Sequence, residues 1–258
     1  MGVALGMAYL LSPGGQPQWI WIVQWTLMGV IFVEAFSRAR TVEGAMAGAL
    51  AVTVTLQLLF MVVASWELEA TPWSLVRRSM EATLHRALAV YAGAGLAPEG
   101  VERIREGIPA LARAMAWVVP GSVVAMDLLL YWWTLLVQRR ALPLLGIQRP
   151  GAEVLHGWGL PYAWVWVTIL GGCLLLLPVE VARWIGLNVL ILMGTVHFFQ
   201  GISVVASFFH RKGVPPFLRG IFYALVFLQH FVLLAVMALG LFDLWFDFRK
   251  RWNSSTRA

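Results

Sequence analysis

Four polar side chains stand inside long apolar runs of this 258-residue chain: Asp127, Asn188, His197 and Gln200. A carboxylate, two carboxamides and an imidazole offer donors and acceptors for a small ligand. A charged group in hydrocarbon is costly and faces protein or water, so Asp127, central in its run, is a ligand-binding candidate. The competing reading is a hydrogen bond between helices. On a helical wheel Gln200 lies near Ser203 and His197, whereas Asn188, 12 residues before Gln200, falls about 120° away. The set therefore does not make one face.

A second group closes the chain in GLFDLWFDFRK. Asp243, Trp245, Asp247, Arg249 and Lys250 are candidates for anchoring a partner protein or lipid headgroups. Asp243 and Asp247 are four apart and share a helical face. The cations suit a helix C-terminus.

Enzymatic patterns are missing. The sequence holds no HExxH, GxSxG, P-loop or GxGxxG pattern. His85, His156 and His210 are scattered, and Cys173 is the lone cysteine, expected to be a buried, inert thiol. A non-enzyme without cofactor or metal is expected. A chain without an ATP-binding motif is not the motor of a pump, although it can be the membrane half of one.

The elements that must hold these groups are apolar helices. Hydrophobic residues make up 60% and charged residues 12% of the chain, against about 25% charged in an ordinary soluble domain. A soluble protein of this size needs a wetter surface, so lipid is the better solvent for these faces. The net charge of +6 comes largely from arginines in twos and threes at the ends of apolar runs, which fits a membrane protein and not a nucleic-acid footprint.

Six runs have the character of spans: 19–36, 44–66, 114–137, 162–177, 185–209 and 217–241. The apolar stretch 1–11 is about half a spanning length. Gly44, Gly48 and Ala51 place small residues on one face of the second run, a spacing that permits close helix approach. Glu34 lies near the end of the first run and reaches the interface.

Between the second and third runs, 67–113 is charged and amphipathic. Val76, Met80, Leu84, Leu88 and Tyr91 form one stripe, and Val101, Ile104, Ile108, Leu111 and Met115 a second. Pro98 suits a helix's first turn. The expectation is an all-α, polytopic transmembrane bundle of six to seven spans, a single domain over 1–258 with an amphipathic connector at about 67–113. A cytoplasmic C-terminus puts that arginine-rich connector inside as well, in keeping with the positive-inside tendency.

The C-terminal pattern supports a resemblance. An asparagine in the penultimate run, then FFQGISVVASFF, a short basic loop and GLFDLWFDFRK resemble the YybS-like family of predicted bacterial membrane proteins, whose function is unknown. Asn188, Gln200, Gly201, Gly240, Asp243, Trp245, Asp247 and Arg249 carry the likeness, which covers a core of roughly 120–251. That family looks distantly similar to the substrate-binding components of energy-coupling-factor vitamin transporters. The resemblance implies a helical bundle in the bacterial inner membrane with a central ligand cavity, working with a separate coupling protein and ATPase subunits. It also implies a longer N-terminal region than this chain has.

Two functions remain open at this point. One is a small-molecule binding or transport component, which needs a polar cavity near Asn188 and Gln200. The other is a non-transporting structural or assembly factor, which needs a filled bundle and a docking surface. Membrane lipid is a partner in both, and nucleic acid in neither.

Overall fold

The computed structural model describes residues 19–38, 41–95, 97–144 and 159–248. The stretch 1–11, Arg249 and Lys250 lie outside the described residues. Among those described there are eight helices and no strand. They are α1 Trp19–Arg38, α2 Val42–Glu67, α3 Pro72–Gly93, α4 Pro98–Leu144, α5 Trp164–Leu176, α6 Glu180–Arg211, α7 Pro216–Leu228 and α8 His230–Phe246. The chain divides into two compact units, Met1–Val137 and Gln138–Ala258.

Helices α2, α4 and α6 are long and apolar enough to cross a membrane, and the bent pair α7 and α8 makes a fourth if counted as one span. Among the described residues there are thus three or four span candidates by length and composition, and the further spans of a six-to-seven-span bundle are not shown. Two of the expected runs fall short of that measure. Helix α5 has 13 residues, about 20 Å of helix against a core of about 30 Å. In α1 the described apolar stretch is Thr26–Phe36. The run 217–241 does form helix, but α7 and α8 bend by 103°. The break lies at Gln229, whose backbone is extended. No proline or glycine stands there.

Local chemistry sets the starts. Thr41 Oγ1 accepts from the Gly44 N–H at 3.1 Å, and Thr71 Oγ1 from the Ser74 N–H at 3.2 Å, so α2 and α3 each begin on a threonine cap. Pro72 and Pro98 occupy first turns, where no N–H is needed. Arg219 donates from Nε to the Val214 carbonyl at 2.7 Å and closes the turn from α6 into α7.

The connector differs from expectation at its far end. No break separates the amphipathic segment from the third span, because α4 runs 47 residues without interruption, about 70 Å. Pro109 and Pro120 lie inside it, and the helix continues through both. Its first 16 residues carry Glu99, Glu102, Arg103, Arg105, Glu106 and Arg113 and measure about 24 Å. Ile108, Ala112 and Ala116, four apart on one face, are buried. Ala116 clusters with Leu75 and Val76 of α3. With only Ala94 to Ala97 between the helices, α3 and the start of α4 form an antiparallel hairpin.

Unit 1 has its main core where Met28 and Phe32 of α1 and Ala49 of α2 meet Tyr131 and Leu135 of α4. The Tyr131 ring stacks on Phe32 at 5.2 Å between centroids. Unit 2 is built on backbone approach. A Cβ at Gly201 would overlap the Val236 carbonyl oxygen, and one at Gly240 would overlap the His197 carbonyl oxygen. Helices α6 and α8 therefore cross backbone to backbone at two glycines, the contact that small residues allow in lipid. Gly48 does not play that part. A Cβ at Gly48 would meet nothing within 4 Å. Cys173 is exposed rather than buried.

Replacing Gly240 with Val is expected to lower stability in detergent by about 1–3 kcal/mol, the usual range for overpacking. Gly48→Ala is expected to leave it unchanged or slightly raised. Denaturant-induced loss of helicity followed by circular dichroism measures both.

Candidate functional site

The described polar groups of the apolar runs gather at two places, one in each unit. In unit 2 the centre is Gln200, which is 2% exposed. Its Nε2 donates to Asp243 Oδ2 at 2.7 Å. Its Oε1 accepts from the Leu160 N–H at 3.0 Å. One carboxamide thus ties α6 to the end of α8 and to the segment before α5. Asp243 is buried as well, and its Oδ1 accepts from the Phe248 N–H at 3.1 Å. A turn deeper, His197 Nε2 shares a hydrogen bond of 2.8 Å with Thr168 Oγ1 of α5. Both ring and carboxamide come from a buried stretch of α6, His197 to Val204.

In unit 1, Asp127 Oδ2 accepts from Gln57 Nε2 at 2.8 Å. One turn on, the Tyr131 hydroxyl and Thr53 Oγ1 share a hydrogen bond. Residues 53 and 57 on α2 thus face 131 and 127 on α4, two rungs four residues apart on antiparallel helices. Asp127, Thr53 and Tyr131 are all buried.

The ligand candidates do not form one site. His197 and Gln200 lie in one network, joined by Asp243 from the other group. Asn188 Nδ2 donates to the Trp184 carbonyl of its own helix at 2.7 Å, and it stands 12 residues before Gln200, about 18 Å along α6. Asp127 belongs to unit 1. Asp243 and Asp247 do not share a helical face: α8 ends at Phe246, and Asp247 takes a left-handed conformation with φ 42°. Asp243 turns into the bundle, whereas Trp245 remains exposed. Among the described residues no three His, Cys, Asp or Glu side chains stand close enough to hold a metal ion.

Five participants went unread in the sequence: Thr53, Gln57, Tyr131, Thr168 and the Leu160 N–H. Thr53 and Gln57 had a usable signal, two polar residues four apart in an apolar run that match the 127 and 131 spacing. Thr168 and Leu160 had none.

The match to a family model settles the class. It covers residues 1–244 and carries the description "Predicted membrane protein (DUF2232)". The chain belongs to the DUF2232 family of predicted membrane proteins. Membership in DUF2232 agrees with the long apolar helices and with the satisfaction of their buried carboxamides and carboxylates by protein groups. Neither a curated protein nor a solved structure matches the chain.

The Gln200 and Asp243 side chains are expected to couple. In a double-mutant cycle with Gln200→Leu and Asp243→Leu, the interaction should fall at about 0.6–1.7 kcal/mol, the range seen for polar pairs between membrane helices. Additivity of the two losses would remove the bond from the folded protein.

Proposed function

We propose that this DUF2232 member is a structural or assembly factor of the bacterial inner membrane that docks a partner protein outside the bilayer. The observation that carries this reading is the tip of the α3–α4 hairpin. From Ala87 to Pro98 the sequence holds no charge, and Val90 and Tyr91 are 71% and 64% exposed. The charged start of α4 is continuous with its apolar part, so the tip stands about 24 Å beyond that part and does not reach lipid. An exposed apolar end of this kind marks a protein contact.

The flanks of the hairpin carry six arginines and four glutamates. This excess places it on the cytoplasmic side by the positive-inside tendency. With α1 and α5 counted as spans, giving six, the C-terminus falls on the same side of the membrane, and Trp245, Asp247, Arg249 and Lys250 are proposed as a separate anchoring contact for lipid headgroups or a partner. The reading is non-enzymatic, with membrane lipid as solvent and one protein partner.

A second reading, a small-molecule binding or transport component, is favoured by one observation. Nδ1 of His197 is buried without a hydrogen-bond partner, and a buried polar atom of this kind invites water or a ligand. The resemblance to the YybS-like family, and through it to substrate-binding components of energy-coupling-factor transporters, supports the same reading. It calls for a coupling protein and ATPase subunits.

Purification of the full chain in mild detergent separates the two. A stoichiometric partner that is lost with Val90→Asp/Tyr91→Asp, while helicity is unchanged, is the expected result. Co-purified ATPase subunits that survive that double substitution would establish the transport reading in its place.

A further inference from the structure

Between α1 and α2 lies a groove of about 480 Å³ that neither helix fills. The lining comes from Val30, Glu34 and Arg38 of α1 and from Gly44, Gly48 and Val52 of α2. The groove is open beside Gly48, which has no side chain to fill it. A Cβ at Gly48 would meet no atom within 4 Å, so a larger residue there would enter open space. The inner end is apolar, with Val30 and Val52 about half exposed. At the outer end, Glu34 Oε1 and Arg38 Nη2 lie 2.5 Å apart on an exposed i,i+4 pair. The two opposite charges therefore sit at one level, at the mouth of an apolar slot. Helix α2 crosses once between this turn and the α3–α4 hairpin, so the groove faces the leaflet on the other side from the hairpin.

We propose that this groove is a binding site for phosphatidylethanolamine. The lipid phosphate meets Arg38, the ammonium meets Glu34, and the upper part of one acyl chain lies on Gly48 between Val30 and Val52. The charge pattern selects this headgroup. A phosphate and a neighbouring ammonium complement an arginine and a neighbouring carboxylate, whereas an anionic glycerol headgroup leaves Glu34 opposed. A choline headgroup matches in charge but carries no N–H to donate to Glu34, while a primary ammonium carries three. The start of a 26-residue helix at Val42 adds positive potential on the phosphate side. Exchange of the existing pair is easy, because exposed i,i+4 ion pairs contribute little to stability.

The test uses the full chain, purified in mild detergent and delipidated. Dioleoyl phosphatidylethanolamine, phosphatidylcholine and phosphatidylglycerol are added in turn, and native mass spectrometry reads the lipid bound. The wild type is expected to take up one phosphatidylethanolamine per chain, at roughly tenfold lower lipid concentration than either other lipid, the scale of one good charged contact pair. Gly48→Leu fills the groove and should abolish that preference. Glu34→Gln should erase the discrimination between ethanolamine and choline, and Arg38→Gln should weaken all three lipids. Equal uptake of the three lipids by the wild type, meaning annular lipid only, overturns the proposal. So does a Gly48→Leu protein that keeps full selectivity. Should Gly48→Leu fail to fold, Glu34→Gln decides: unchanged discrimination overturns the site, and its loss supports it.

Discussion

The carboxamide of Gln200 ties unit 2 together beside the crossing where the backbones of α6 and α8 come closest. Lipid tails are as apolar as leucine, so no hydrophobic force presses α6 against α8. Close packing and interhelical hydrogen bonds remain. Gly201 and Gly240 supply the first by letting backbones touch. Gln200 supplies the second, with one end on Asp243 and the other on the Leu160 N–H. The two depend on each other. Only a backbone approach this close brings a side chain of α6 within 2.7 Å of a carboxylate at the end of α8.

The same constraint shapes unit 1 by other means. Asp127 and Tyr131 form rungs with Gln57 and Thr53, and the Tyr131 ring stacks on Phe32. Polar groups that face the bundle are used up in tying helices. What the fold leaves unused faces outward: the apolar hairpin tip at Val90 and Tyr91, and the slot beside Gly48. A protein whose interior polar groups are largely spent on itself meets other molecules at such surfaces. His197 Nδ1 and Ser79 Oγ are exceptions inside, buried without a hydrogen-bond partner.

Much of the local structure was legible. The caps at Thr41 and Thr71 and the first-turn prolines Pro72 and Pro98 are short-range signals, and helices begin where they stand. The two stripes of 67–113 belong to helices, and the second of them runs on into the third apolar run as one helix. Arg113 and Ala114 mark a change of solvent along one helix, and a change of solvent does not break hydrogen bonds. The converse happened at Gln229, where a run interrupted by the polar pair Gln229 and His230 is bent without a proline or glycine to announce it. At Asp247 a left-handed residue ended the helix and separated two acids that the i,i+4 rule had paired.

Composition by itself determined that lipid surrounds this chain and that its backbone is helical. Both follow from sums over local residues: apolar surface too large for water to cover, and backbone groups that must bond within their own segment. It also determined where charge accumulates. Only the tertiary structure decided which polar side chains meet, because the bonds join residues 40, 43, 70 and 78 positions apart. It alone decided which glycines admit a neighbouring backbone and which leave a slot open. A glycine at 201 and one at 48 are the same residue in the sequence, and the difference between them is whether a neighbouring backbone lies against the missing side chain.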